Sequence, residues 1–307
     1  MKKNILVITS SIDSTVDYII KKYINVANFF RIDTDSFSQY DFYLGNIENG
    51  WIIKDKRTNT AISKNQVYSI YYRKPMLPDL SEYDKKYHSM IEKDILSIIN
   101  GIADDFPRLT LTKPTILRKT ENKTFQLLFA LANEWNIPES FIGNSLEACK
   151  EFRAYKSIIK PLTTGKIYDG NNYEIYQTSY FKYHDVDEIQ LTPIYLQQYV
   201  EKKYEVRITV INHIFYTVRI DTKNKLDWRR DYENHVYSII DCPDMIKTNC
   251  QLFLDKFNLP FGAFDYIVTP EDKWIFLEVN PNGQWLWLEE ALNLDISKRI
   301  IEYLLKE

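Results

Sequence analysis

The stretch Leu259–Leu288 reads LPFGAFDYIVTPEDKWIFLEVNPNGQWLWL, and the fold prediction for the whole chain depends on it. It contains two apolar runs, Ala263–Thr269 and Lys273–Val279, which are separated by a short polar segment that begins at Pro270. Apolar runs that flank a turn-forming segment are typical of an antiparallel hairpin. We therefore predict two paired strands in this part of the chain.

Three polar side chains interrupt the apolar runs of this hairpin. Glu278 and Asn280 are two residues apart, so their side chains point to the same face of a strand, and Asp265 on the partner strand can join them. Two carboxylates and an amide oxygen suit Mg²⁺ that also binds nucleotide phosphates. The alternative, solvated charges on an edge strand, is disfavoured because the neighbouring residues are apolar on both faces.

Composition excludes several classes of function. The chain has 307 residues, enough for two or three packed units, and its net charge of −3 gives no sign of nucleic-acid or anionic-membrane binding. The cysteines Cys149, Cys242 and Cys250 show neither zinc-ligand spacing nor a disulfide framework. Because no apolar segment is long enough to span a bilayer and no secretory signal is evident, we expect a cytoplasmic protein without a membrane partner.

The N-terminal part has the pattern of a parallel sheet. The apolar runs Asn4–Thr9 and Phe29–Ile32 flank an amphipathic segment, which predicts a β-α-β unit. A further predicted strand, Ser69–Tyr72, ends in the cations Arg73-Lys74, at the sheet edge where open α/β sheets bind ligands. Arg73 is equally compatible with a surface cation beside an acidic residue.

The next segment, Asp104–Arg118, contains two prolines and predicts an extended connection between domains. An amphipathic helix pattern follows at Asn122–Asn136, with Lys123 near its start. Its predicted inward face consists of Phe125, Leu128, Leu131, Ala132 and Trp135. A lysine on a helix surface is the ordinary case, so Lys123 by itself indicates little.

Lys160 is more informative because it lies within an apolar predicted strand, Ser157–Leu162. A buried lysine is costly unless an anion pairs with it, and a nucleotide phosphate would serve. Thr164 and Gly165 follow in a short, hydroxyl-bearing loop that could cover phosphates. The loop is a weak signal alone, because it has only one glycine.

A predicted strand end follows at Gln197–Glu201, which includes Gln198, Tyr199 and Val200. Its backbone N–H and C=O groups could pair with an adenine edge, and Glu205 could accept hydrogen bonds from ribose hydroxyls. The same half of the chain supplies four cations, more than a purely structural role predicts: Arg207, Arg219, Arg229 and Arg230.

In this order, the motifs resemble those of the ATP-grasp ligases over residues 115–307. The matching parts are the helix with Lys123, IIKPLTTG at 158–165, LQQYVEKKYEVRITVI at 196–211, DWRRD at 227–231 and the FDYIV…FLEVNPNG hairpin. Further features resemble the graspetide synthetases, the microviridin-type and grasp-with-spasm macrocyclases related to ribosomal-protein glutamate ligases: STVDYIIKKY at 14–23, YYRKP at 71–75, FPRLTLTKP at 106–114 and NPNGQWLWLE at 280–289. The short, glycine-poor phosphate loop departs from the family pattern.

The resemblance implies an α/β ATP-grasp fold in three parts. These are an N-terminal parallel-sheet domain at 1–114, a central subdomain at 115–193 and a C-terminal subdomain with the metal-binding hairpin at 194–307. It implies Mg²⁺ at Asp265, Glu278 and Asn280. It implies an ATP site built from Lys123, Lys160, Thr164, Gly165, Gln198, Tyr199, Val200, Glu205 and Arg229.

The resemblance also implies an activity. ATP would phosphorylate Asp or Glu side chains of a precursor peptide that has a leader and an acidic, hydroxyl-rich core, and Ser/Thr or Lys side chains would then close ester or amide rings. Arg207, Arg219 and Arg229 are the catalytic candidates, and Arg73, Arg207 and Arg219 are candidates for substrate binding. Such an enzyme is compatible with a homodimer.

Two alternatives remain open. An ATP-grasp carboxylate–amine ligase that adds amino acids to a protein or small molecule would share every ATP-binding residue. A non-catalytic nucleotide- or peptide-binding module is disfavoured, because it has no need of the metal-type set at Asp265, Glu278 and Asn280.

Overall fold

A computed structural model describes residues 2–46, 50–152, 155–163, 166–169, 172–175, 178–182, 189–223 and 235–307. Three predicted site residues, Thr164, Gly165 and Arg229, lie outside these ranges. Within them the chain forms strands β1–β18 and helices α1–α8, together with short 3₁₀ helices at Thr34–Gln39 and Lys64–Gln66.

The N-terminal part confirms the predicted β-α-β start. Strands β1, β2, β6 and β7 form a parallel sheet in the order β2-β1-β6-β7, and β3, β4 and β5 form an antiparallel sheet beside it. The elements are β1 (Asn4–Thr9), α1 (Ser14–Tyr23), β2 (Asn28–Asp33), β3 (Tyr40–Leu44), β4 (Trp51–Asp55), β5 (Thr60–Ser63), β6 (Val67–Tyr72), α2 (Lys85–Asp105), β7 (Leu109–Leu111) and α3 (Pro114–Thr120).

The prediction of an extended connection at Asp104–Arg118 was wrong. Helix α2 continues to Asp105, β7 joins the parallel sheet, and α3 begins at Pro114. A proline is well tolerated in the first turn of a helix, where its fixed φ suits the helix and its missing N–H has no intrahelical partner. Proline therefore marked a helix start here and not an extended segment.

The central part contains the antiparallel sheet β12-β9-β13-β8 and the hairpin β10–β11. The elements are α4 (Lys123–Ala132), β8 (Ser140–Gly143), α5 (Leu146–Glu151), β9 (Ser157–Lys160), β10 (Lys166–Asp169), β11 (Asn172–Ile175), β12 (Ser179–Tyr180) and β13 (Ile194–Gln198). Strand β13 pairs with β8 and β9, so the predicted boundary at 193/194 crosses a single sheet. The division into three parts stays a prediction.

The inward face of α4 differs from the prediction. Leu128 and Leu131 are 60% and 55% exposed, whereas Gln126 and Ala130 are buried. The helix reads KTFQLLFALA and is apolar on nearly every side, so periodicity does not select one face. The choice of face is made by the sheet against which the helix packs.

The C-terminal part is an antiparallel sheet in the order β16-β15-β14-β17-β18, and it confirms the hairpin predicted from Leu259–Leu288. The elements are β14 (Tyr204–Ile211), β15 (Ile214–Asp221), β16 (Val236–Ile239), α6 (Asp244–Lys256), β17 (Phe261–Val268), β18 (Trp274–Asn280), α7 (Leu286–Leu292) and α8 (Ile296–Leu305). Among the described helices, none combines the length and apolar character that crossing a membrane requires.

One hydrophobic core joins the first and last parts of the chain. Ile5 and Val7 of β1 lie in the same buried cluster as Phe261 of β17, Trp285, and Ile300 of α8. This core holds one end of the N-terminal sheet against the β17–β18 hairpin, which carries Asp265, Glu278 and Asn280. This packing places the functional cleft.

Candidate functional site

A cleft of about 1760 Å³ opens where the N-terminal sheet, helices α3 and α4 and the C-terminal sheet meet. It brings together six of the residues that the sequence indicated, although they come from segments far apart in the chain. These are Arg73, Lys123, Arg207, Asp265, Glu278 and Asn280.

The three candidate metal ligands lie side by side on one face of the hairpin, as predicted. Asp265 is directly opposite Glu278 in the strand register, and the Asn280 amide donates to Asp265 Oδ2 at 3.0 Å and to Glu278 Oε1 at 3.4 Å. No group of three or more His, Cys, Asp or Glu side chains in the described ranges could hold a metal ion. A metal here would therefore take the side-chain oxygen Oδ1 of Asn280 as a third protein ligand. The side-chain amide would have to rotate by half a turn to present that oxygen.

Arg207 on β14 stands directly opposite Asp265. Its Nη1 donates to both carboxylate oxygens, at 2.6 and 2.7 Å, and the residue is buried. Its buried Nε has no hydrogen-bond partner among the described residues. A buried donor without a partner is costly, so this guanidinium has capacity for a further acceptor in the cleft.

Gln126, to which the sequence assigned no role, holds strand β18 in place. Its side-chain amide accepts from Val279 N at 3.0 Å and donates to Val279 O at 2.8 Å and to Thr120 O at 2.7 Å. Val279 lies between Glu278 and Asn280 on β18, which is the edge strand of its sheet. The edge groups of Val279 are thus paired with a helix side chain, and the two ligand side chains are oriented by that contact.

Lys123 and Lys160 meet at a small cavity between the central and C-terminal sheets. Lys123 Nζ donates to Pro161 O at 2.7 Å and lies 3.8 Å from Glu278 Oε2. Both lysines line this cavity together with Glu278. The cavity is also lined by Gln197 of the predicted adenine-contacting segment and by residues to which the sequence assigned no site role: Gln126, Leu127, Ala130, Ile137, Tyr195, Phe276 and Leu277.

Gln197 is a polar group aimed at this cavity. Its Nε2 donates to Ser140 Oγ at 3.1 Å and to Tyr195 Oη at 3.0 Å, while its buried Oε1 has no hydrogen-bond partner in the described part of the chain. Burial raises the pKa of Tyr195 to about 12. A buried amide oxygen without a donor suits the amino group of a bound base.

The predicted adenine-contacting segment follows β13, but part of its backbone is already used. Gln198 N donates to Glu139 O at 2.8 Å, and Tyr199 N donates to Lys156 O at 2.7 Å. Gln198, Tyr199 and Val200 do not line the small cavity in the described structure.

Glu205, the predicted ribose acceptor, is buried and forms an ion pair with Lys202. The Lys202 ammonium therefore already compensates the charge of this carboxylate. Any hydroxyl that Glu205 accepts must share the carboxylate with Lys202.

The structure does not bring Arg219 to the cleft. Arg219 is paired in register with Val206, so it lies on the opposite face of the sheet from Arg207. It forms two 2.7 Å hydrogen bonds to Asp221 and packs 4.1 Å from the Tyr204 ring centroid. The two-residue turn Asn212-His213, with positive φ at both positions, sets this register and was a readable signal.

Arg73 is neither a surface cation nor a free cation in the crevice. It is 1% exposed, and its Nη1 donates to Asn282 O and Oδ1 at 2.8 Å and to Gly283 O at 3.2 Å. Its Nη2 also donates to Gln284. Arg73 therefore ties the N-terminal sheet to the loop that follows β18.

The next residue, Lys74, also lines the cleft, and no hydrogen bond or ion pair ties its ammonium group to the described residues. Burial, together with the charges of Arg73 and Arg207, lowers the pKa of Lys74 to about 8, against the opposing effect of Asp13 and Glu121. Loss of surrounding water raises the pKa of Glu121 in the same cleft.

No protein-family model matches this chain, and no curated protein matches its sequence. Solved structures are similar over nearly the whole length. The macrocyclase MdnC of Microcystis aeruginosa MRC, bound with precursor peptide MdnA, is 26% identical with a TM-score of 0.88, covering 99% of this chain and 100% of that chain.

Two further solved structures extend the comparison. An ATP-grasp ligase of Chryseobacterium gregarium, described as RiPP-associated and in complex with ADP and a leader and core peptide, is 24% identical with a TM-score of 0.87, covering 98% of this chain and 96% of that chain. The ATP-grasp ligase PsnB, complexed with a phosphomimetic variant of minimal precursor, Mg and ADP, is 18% identical with a TM-score of 0.80, covering 99% and 98%.

Proposed function

This chain has the ATP-grasp fold, and from that premise we propose that it is an ATP-dependent peptide macrocyclase, a graspetide synthetase. Its cofactors are ATP and Mg²⁺. The observation that carries the proposal is the set Asp265, Glu278 and Asn280, held beside Arg207 in a cleft wide enough for a peptide. The likeness to a macrocyclase bound with its precursor peptide, over the full length of both chains, supports the choice of substrate.

The proposed reaction has two steps. The γ-phosphoryl group of ATP passes to a side-chain carboxylate of a peptide Asp or Glu, which leaves ADP and an acyl phosphate. A Ser or Thr hydroxyl, or a Lys amine, of the same peptide then attacks the acyl carbon. Phosphate leaves, a proton is released, and an ester or amide ring closes, so the peptide loses one water overall.

The residues of the chain supply charge compensation and orientation. Asp265, Glu278 and Asn280 would hold Mg²⁺, which neutralises phosphate charge during the transfer. Lys123 and Lys160, which line one cavity, would bind the phosphates of ATP. Arg207 would orient the acceptor carboxylate through its unpartnered Nε.

The remaining assignments stay predictions. They include the roles of Thr164, Gly165 and Arg229, the nucleotide contacts of Gln198, Tyr199, Val200 and Glu205, the homodimer and the cytoplasmic location. The buried tie of Arg73 and the placement of Arg219 on the other sheet face lead us to omit both from the proposed substrate contacts.

The deciding experiment is a mass measurement. The purified chain is incubated with ATP, Mg²⁺ and a precursor peptide, and the peptide mass should fall by one water for each ring. A rise that matches an added amino acid would instead support the carboxylate–amine ligase. Unchanged mass together with unchanged ATP would support a non-catalytic module.

A further inference from the structure

Lysines from three parts of the chain line the cleft or the small cavity beside it. Lys123 and Lys160 line the small cavity next to Glu278, whereas Lys74 enters from the C-terminal end of the N-terminal sheet. Lys74 does not line the cavity of the two other lysines in the described structure. It lines the wider cleft instead, which it shares with Lys123 and the three candidate metal ligands.

Lys74 is also a cation without an ion-pair partner within 4.0 Å among the described residues. Two of the neighbouring charges are already engaged: Asp13 accepts from Thr9 Oγ1 at 2.7 Å, and Arg73 donates to the loop after β18. Glu121 is a further acidic neighbour whose charge acts on Lys74. Arg207 is paired with Asp265. A half-buried ammonium next to two guanidinium groups attracts an anion from outside the protein.

We propose that Lys74 is a substrate-binding residue that pairs with an acidic side chain of the peptide core. This inference rests on the proposed function, because the peptide is the substrate in that proposal. The acidic class follows from the surroundings, since the cations Lys74 and Arg207 line the same cleft and the Nε of Arg207 has no hydrogen-bond partner among the described residues. A peptide carboxylate beside Lys74 would compensate the charge of its ammonium group, whereas the charge of Arg207 is already balanced by Asp265.

The test is a double-mutant cycle on binding, which needs no turnover. A fluorescently labelled precursor peptide, and the same peptide with every core Asp and Glu replaced by Asn and Gln, are titrated in the presence of ADP and Mg²⁺. They are titrated against wild type, Lys74→Met and Lys74→Arg. We expect Lys74→Met to weaken binding of the acidic peptide about tenfold and of the amide peptide less than about twofold.

Two further variants serve as controls. Lys74→Arg keeps the charge and should bind the acidic peptide within about threefold of wild type. Lys93→Met removes an exposed lysine of α2 that does not line the cleft, and it should bind like wild type. Thermal unfolding checks that each variant is folded.

The proposal is overturned if Lys74→Met weakens both peptides equally, or weakens neither. It is also overturned if Glu121→Gln reproduces the loss for the acidic peptide, because Lys74 would then act by pairing with Glu121. Failure of the proposed function is separate, since it appears as a wild-type enzyme that binds the peptide but never lowers its mass.

Discussion

Single residues in the cleft compensate one another's charge. Arg207 and Asp265 are buried against each other on adjacent strands, and Lys123 lies 3.8 Å from Glu278. Removing one member of a buried ion pair leaves the other uncompensated, whereas a carboxylate at the open side of the set can lose its charge with less effect on folding. Glu278 is therefore the residue at which metal binding and stability can be separated.

Glu278→Gln is expected to lower ring formation by more than about 100-fold and to leave the fold intact, because the proposed Mg²⁺ site needs the charge of this carboxylate and packing does not. Ring formation is followed by mass, and Mg²⁺ affinity by calorimetry with ADP. Glu271→Gln, in the exposed turn of the same hairpin, is the matched control and should behave like wild type. A folded Glu278→Gln enzyme with normal activity would contradict the metal assignment.

At the scale of elements, the edge strand β18 depends on helix α4. Gln126 pairs with both the N–H and the C=O of Val279, and Phe276 N donates to Asn136 O at 2.8 Å. These contacts close the open edge of the sheet at the positions that flank Glu278. The geometry of the site is thus set by the packing of a helix against a strand end.

Gln126→Met should reduce the free energy of unfolding by about 2–4 kcal/mol, because buried backbone groups of Val279 and Thr120 lose their partners. Denaturant titration measures this loss, and peptide mass measures the accompanying loss of activity. The control is Gln251→Met. The side-chain amide of Gln251 donates to Asp255 within helix α6, so its loss should change stability by less than about 0.5 kcal/mol. Equal stability of the two variants would argue against a role for Gln126 in holding β18.

Two glycines make a contrasting pair. A Cβ at Gly283 would lie 2.7 Å from Ala263 Cβ and 3.2 Å from Asn280 Cβ, both in the β17–β18 hairpin, so Gly283→Ala should destabilise the protein by about 1–3 kcal/mol. Gly101 is inside α2 with nothing within 4 Å of such a Cβ, so Gly101→Ala should stabilise it by about 0.5–1 kcal/mol. Chemical denaturation of both variants checks the opposite signs, and two shifts of the same sign would contradict this account.

At the scale of the molecule, buried polar ties join the two ends of the chain. Arg73 binds the loop after β18, and Glu289 of α7 accepts from Lys22 of α1 at 2.8 Å and from Ser297 N at the start of α8 at 2.6 Å. Burial opposes ionisation of the Glu289 carboxyl, but these hydrogen bonds outweigh it and lower its pKa. The charged form of Glu289 is therefore favoured by folding.

The sign of the pH dependence follows from that lowered pKa. Above the unfolded carboxyl value of about 4.3 the Glu289 contribution to stability is fully present, and it is lost as the pH falls through the lower folded pKa. We expect the melting temperature to fall below about pH 4. Glu289→Gln should be less stable at pH 7 and less sensitive to acid, and melting curves of the two proteins that shift in parallel with pH would contradict the assignment.

Features that depend on residues close together in the chain could be predicted from the sequence, whereas contacts between residues far apart could not. The hairpin and the β-α-β start were readable because alternation, apolar runs and turn residues act over a few neighbouring positions. The register that places Arg219 away from the cleft was missed, although the turn at Asn212-His213 could have indicated it. The inward face of α4 was not readable, because a helix that is apolar on most sides takes its orientation from its neighbours.

The sequence by itself determined which groups the hairpin presents, since Glu278 and Asn280 share a face by strand periodicity alone and Asp265 could join them from the partner strand. Only the tertiary structure decided what surrounds them. Arg73 meets Asn282 across 209 positions, and Gln126 meets Val279 across 153 positions. Such contacts depend on how separate layers pack, and no local pattern encodes them. Packing therefore assigned Arg73 to a structural tie and left Lys74 facing the cleft.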